Sequence, residues 1–150
     1  MMTTNDYRGR YPDNWGDIAK AVKDAAGWRC VRCGHPHETP AERVPCDERC
    51  DPARHTGGLN DGKQRVLTVH HLNNDKSDIR WWNLLPLCQV CHLQIQAKVI
   101  VDRPYRMFEH SGWFKIYVAG FYAWKYLGRE ITRQEARFYM DELLALELIR

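Results

Sequence analysis

VLTVHHLNNDKSDIRWWNLLPLCQVCHLQIQ, residues 66–96, is the stretch that decides the fold. Its opening run, Val66, Leu67, Thr68 and Val69, ends in His70-His71 and favours an extended strand. Asn73-Asn74-Asp75-Lys76-Ser77 is polar and reads as a loop. Leu84, Leu85 and Leu87 predict a second strand, with Pro86 marking an edge or an irregularity. From Gln89 onward, His92, Leu93, Ile95, Gln96 and Val99 recur at helical spacing. The order is strand, loop, strand, helix.

That order separates two kinds of metal chemistry. Neighbours on a helix point about 100° apart, so Cys91 and His92 do not easily serve one ion. Cys91 belongs with Cys88, and a second Cys-x2-Cys pair, Cys30 and Cys33, stands far upstream. Four thiolates in two such pairs make a closed tetrahedral zinc site, which is structural. His92 then faces the histidine pair across the hairpin. Two imidazoles on one ion leave positions open for water and substrate, as a catalytic metal needs.

Taken together, Cys30-x2-Cys33, His70-His71, Asn83 and Cys88-x2-Cys91-His92 resemble the HNH endonucleases. The nearest likeness is to small phage-type members with similar His-His, Asp-Lys-Ser and Trp-Trp-Asn-Leu stretches, and it covers roughly residues 12 to 100. The resemblance implies an α+β fold, in which a ββα-metal, treble-clef-like module carries the zinc knuckle. It implies that His70 and His92 hold the catalytic divalent metal and that His71 is the general base. Asn83 would hold the loop and orient His71, while the four cysteines carry structural zinc. The expected reaction is hydrolysis of DNA phosphodiesters, commonly leaving 3′-hydroxyl and 5′-phosphate ends. A neutral imidazole suits proton abstraction from water near pH 7, and the metal offsets charge on the phosphate. Gln96 stands where some relatives carry a third metal-binding histidine, so a two-imidazole site is expected here. Such ligands suit Mn2+, Ni2+ or Zn2+ better than Mg2+, and activity with manganese or nickel should at least equal that with magnesium. Because successive strand residues face opposite sides, irregular backbone is expected at His70-His71.

A chain of 150 residues suits one domain, and 44% hydrophobic residues suit a globular one. A formal charge of +3 does not by itself establish nucleic-acid binding, which rests on the site. Paired cysteines without an apolar leader favour zinc in a reducing compartment, the cytoplasm of a bacterium or phage-infected host. No apolar run reaches membrane-spanning length. Residues 1–103 are expected to form the nuclease module with its N-terminal arm, helix and a 35–65 insertion. Residues 104–150 are expected to form a helical hairpin packed on that module. Arg8 and Arg10 in the arm are expected to meet phosphate.

Asn14 or Gly16 can cap a helix from about Asp17 to Ala26, with Ile18, Ala21 and Val22 on its apolar side and Gly27 ending it. Gly34 permits the turn after Cys33, and Arg29 and Arg32 are either neutralisers of a thiolate-bound zinc or solvated surface. The insertion holds Cys46-x3-Cys50 with His35, His37 and His55, a candidate second zinc site whose rival readings are free thiols or a disulfide. Lys76 and Arg80 are candidate DNA contacts, and Trp81 and Trp82 read as core. Trp113, Ile116, Tyr117, Gly120, Phe121, Trp124 and Leu127 form one helical face, with Lys115, Tyr122 and Lys125 on the other and Gly128 as the stop. Thr132-Arg133-Gln134-Glu135 matches a capping box opening a second helix through Ala136, Tyr139, Met140, Leu143 and Leu146.

Two functions fit these features. One is a metal-dependent endonuclease acting on duplex DNA, with room for a homodimer or a phage packaging partner. The other is a non-catalytic zinc module that recognises nucleic acid or protein. His70, His71, Asn83 and His92 discriminate between them, since a purely structural zinc fold requires none of these four.

Overall fold

The β-branched run and the leucine run pair as an antiparallel hairpin: β1 (Leu67–His71) with β2 (Leu84–Cys88), in the register Leu67 opposite Cys88 to His71 opposite Leu84. The computed structural model describes residues 10–39, 41–51, 64–95 and 112–149. Every residue of β2 is buried, because helices and the knuckle cover it on both faces. Such burial explains a leucine run without alternation. Pro86 lies mid-strand opposite Val69, and its carbonyl accepts the Val31 N–H at 3.0 Å. The knuckle thus docks on β2 at the residue that lacks an amide proton.

Pairing runs without interruption through both histidines and on to Leu72, whose N–H bonds the Asn83 carbonyl at 2.9 Å. The irregular backbone expected at His70-His71 is therefore absent. The chain breaks stride three residues later, at Asn74, whose φ is +62°. Trp81–Asn83 then forms a short 3-10 turn that leads into β2.

α1 (Trp15–Ala25) packs on both strands. Asn14 occupies its N-cap position without a side-chain bond. Ala21 is exposed, so the inward face is Trp15, Ile18, Ala19 and Val22 rather than a stripe through Ala21. The stop is as expected: Gly27 has φ +62°, Gly27 N–H bonds Asp24 O, and Trp28 N–H bonds Lys23 O, the Schellman pattern. α2 (Gln89–Ile95) buries Cys91 and Ile95, but Leu93 points outward. Gln96 and Val99 lie outside the described residues, as do Arg8 and the 103/104 boundary.

α3 (Gly112–Leu127) departs from the expected two-faced helix. It is buried from Ile116 through Ala123, and Tyr122, assigned to the outer side, is fully buried with its hydroxyl 2.7 Å from Glu147. The reason is packing on two sides: the Trp81–Asn83 turn on one, the C-terminal segments on the other. Gly120 allows the first contact, since a Cβ there would lie 2.7 Å from the Trp81 ring. The Trp81 indole N–H reaches the Ile131 carbonyl at 2.8 Å, and Trp82 is buried, so both tryptophans are core. The second arm is not one helix. It consists of α4 (Arg133–Phe138), α5 (Met140–Leu144) and α6 (Leu146–Ile149), broken at Tyr139 and Ala145. Its start is the expected capping box, with Thr132 and Glu135 bonding each other's backbone N–H. Among the described residues no helix is long and apolar enough to cross a membrane.

Candidate metal centres and histidine cavity

The four knuckle sulfurs, Cys30, Cys33, Cys88 and Cys91, are all buried and lie within 4.8 Å of one another. Cys33 Sγ and Cys88 Sγ are 3.8 Å apart. Four bonds of about 2.3 Å to a tetrahedral zinc would set sulfurs about 3.8 Å apart. Within each pair the second cysteine's amide donates to the first sulfur, at 3.5 Å in one and 3.4 Å in the other. The crowded thiols cannot titrate alike. Hydrogen bonds from Cys30, Cys33 and Cys91 push Cys88 strongly down, while those Cys33 makes with Cys30, Cys88 and Cys91 push it up. A cation that takes all four as thiolates resolves that conflict, and the cluster is compatible with structural zinc.

Arg29 and Arg32 make their side-chain bonds away from the four sulfurs. Arg29 is bonded to Asp47 and to the Gly34 carbonyl, and Arg32 reaches Gln94. Arg65, 2% exposed, places Nη1 3.5 Å from Cys88 Sγ. Its own amide is fixed by the Glu38 carboxylate at 2.6 Å, and Glu38 N–H returns a bond to the Arg65 carbonyl. A lone arginine ahead of a strand carries no spacing signal, which is why sequence reasoning passed over it.

On the far side of α2, His70 Nδ1 lies 2.9 Å from His92 Nε2. Two nitrogens each about 2.1 Å from a shared ion would stand about 3.0–3.4 Å apart, so the rings need open only slightly. Thr68 settles the tautomer. Its Oγ1 donates to the Leu87 carbonyl at 2.8 Å and so accepts from His92 Nδ1 at 3.1 Å, leaving the lone pair of Nε2 toward His70. Thr68 was missed too, although it precedes His70 by two strand positions and shares its face. Burial lowers all three imidazoles; for His70, burial and the charges of His92 and His71 bring it down to about 4. All three are therefore neutral near pH 7, the form that binds metal or accepts a proton.

His71 turns to the opposite face of β1, against Trp15 (4.9 Å between ring centroids) and Tyr11 (5.8 Å). Its buried Nε2 has no hydrogen-bond partner among the described residues. A cavity of about 180 Å³ nevertheless meets both faces of the strand, lined by Tyr11, Val69, His70, His71, Asn74, Lys76 and His92. Asn83, fully buried, staples the loop beside it: Oδ1 accepts from Asn73 N–H at 3.0 Å and Nδ2 donates to the Asp78 carbonyl at 2.9 Å.

The two candidate DNA contacts part company. Lys76 is exposed at the cavity, its Nζ 5.1 Å from the centre of the Tyr11 ring. Arg80 is held by Asp78 and stacked on Trp82 (4.5 Å) and Trp124 (4.2 Å), so it props the aromatic core rather than reaching for phosphate. In the insertion, His35, Cys46 and Cys50 bring their ligand atoms within 4.8 Å of one another. His37 stands apart, its Nδ1 accepting the Leu67 N–H at 2.9 Å. His55 lies outside the described residues.

Comparison of the chain with protein-family models, with curated proteins and with solved structures returned no match in any of the three.

Proposed function

We propose that this protein is a metal-dependent DNA endonuclease of the HNH type. The observation that carries the reading is the 2.9 Å approach of His70 Nδ1 to His92 Nε2 at a cavity His71 also lines. A structural zinc fold has no use for a third, unpartnered imidazole nitrogen beside a paired one.

In this reading His70 and His92 hold a divalent cation such as Mn2+, Ni2+, Mg2+ or Zn2+, which when bound polarises the phosphodiester and offsets charge on the leaving oxygen. His71 does the proton work. Packing against Trp15 and Tyr11 orients the ring, and Nε2 is left to take a proton from water. The water oxygen bonds phosphorus as the P–O3′ bond breaks, and the released O3′ takes a proton from solvent, leaving a 3′-hydroxyl and a 5′-phosphate. Asn83 holds the loop that follows His71, and Lys76 faces the substrate phosphate from the cavity rim. Cys30, Cys33, Cys88 and Cys91 would hold a structural zinc that ties the knuckle to β2 and α2.

The test is a supercoiled-plasmid assay of wild type against His71→Ala across magnesium, manganese, nickel and chelator. The wild type should convert plasmid with at least one metal, and His71→Ala should be slower by about 100-fold or more. Equal rates would remove His71 as the base. No cleavage of duplex or branched DNA with any metal would favour the non-catalytic recognition module.

A further inference from the structure

We propose that His35, Cys46 and Cys50 hold a second zinc, separate from the four-cysteine site and from the histidine pair. Their ligand atoms lie within 4.8 Å of one another, with His35 4% and Cys50 6% exposed. Three soft or borderline donors converge where burial by apolar side chains is thin, and two thiolates with an imidazole select zinc over magnesium.

The donors are prepared for an ion. His35 Nδ1 lies 2.7 Å from the Pro36 carbonyl. A carbonyl only accepts, so Nδ1 carries the proton and Nε2 keeps its lone pair for a metal. Cys50 Sγ accepts the Asp47 N–H at 3.4 Å, the distance at which Cys88 Sγ accepts the Cys91 N–H in the four-cysteine site.

The backbone is shaped for it as well. Gly34, at φ +78°, comes so close to the Cys46–Cys50 turn that a Cβ would lie 2.2 Å from the Arg49 carbonyl oxygen. Asp51 N–H bonds the Cys33 carbonyl at 2.8 Å, and Arg29 grips Asp47 with two bonds. The turn is thereby laid on the back of the first knuckle, one residue from His35. Residues 41–51 contain no helix or strand. Ordering such a segment costs conformational entropy that a metal can offset. Among the described residues three donors gather, one fewer than a closed four-coordinate zinc site takes.

The experiment is zinc content per chain of the full-length protein, measured after dialysis, in a His70→Ala/His92→Ala background so that the histidine pair contributes nothing. Two equivalents are expected. Cys46→Ser should keep one, with its circular dichroism unchanged and faster hydrogen exchange confined to the 41–51 region. Cys46→His, which restores a donor, should keep both. One equivalent in the parent, no loss in Cys46→Ser, or an intact mass two hydrogens low from a Cys46–Cys50 disulfide would each overturn the proposal. Because none of these readouts involves DNA, they stand or fall apart from the nuclease reading.

Discussion

Arg65 Nη1 lies 3.5 Å from Cys88 Sγ, in a position where the arginine is almost wholly withdrawn from solvent. A zinc bound by four thiolates is net negative, and a buried guanidinium is the group that balances it. Arg65→Met keeps much of the volume and removes the charge. It should cost about 3 kcal/mol or more, because what remains is an uncompensated buried charge. Zinc release to a chromogenic chelator should also quicken. Arg32→Met, which removes a guanidinium bonded to Gln94, should change neither measurement appreciably.

Metal preference tests the pairing of His70 with His92. Two imidazoles favour manganese, nickel or zinc over magnesium, since magnesium prefers an octahedron of oxygens. Cleavage with manganese or nickel should at least equal that with magnesium, and His92→Ala should weaken manganese binding by about 10-fold or more. Thr68→Val, which removes the partner of His92 Nδ1 while keeping the strand shape, should weaken it in the same direction. Strict dependence on magnesium would count against this ligand pair.

The hairpin, the cysteine pairs and the capping box at Thr132 were legible because each is a local pattern whose physics acts over a few residues. The same is true of Gly27 and the turn it closes. What escaped depended on contacts distant in sequence. Tyr122 was placed outside by helical period, yet a helix covered on two sides has no outer face there. Arg80 sits in a polar loop and reads as a candidate DNA contact, but Trp124, 44 positions later, stacks on it. At His70-His71 the period-two rule was correct and the inference of a broken strand was not. The two rings do face opposite ways, and both line the same cavity.

Stability should fall with acid, and the sign follows from His70. Burial, then the charges of His92 and His71, lowers this imidazole to about 4 in the folded chain, whereas an unfolded histidine titrates near about 6.5. The unfolded state therefore binds more protons between those values. The contribution is complete above about pH 6.5 and is lost as the pH falls toward 4. His71 and His92 are depressed by burial in the same direction. Without added divalent metal, Tm should drop from pH 7 to pH 5, and His70→Ala should drop less. Equal slopes in the two proteins would show that His70 does not stay neutral in the fold.

Gly34 and Gly27 offer a controlled comparison of two left-handed glycines. Both have positive φ, +78° and +62°, so an alanine at either place bears the left-handed penalty of about 1–2 kcal/mol. At Gly27 a Cβ meets nothing within 4 Å, and that penalty is the whole cost. At Gly34 the new Cβ would lie 2.2 Å from the Arg49 carbonyl oxygen and 3.1 Å from its carbon, both backbone atoms that no rotamer change can move aside. Relief requires lifting the Cys46–Cys50 turn off the first knuckle, which adds about 1–3 kcal/mol of overpacking strain. Urea unfolding in zinc-containing buffer should thus rank Gly34→Ala well below Gly27→Ala. Equal midpoints would mean that the turn is not seated on the knuckle, and His35 would then be too far from Cys46 and Cys50 to share an ion with them.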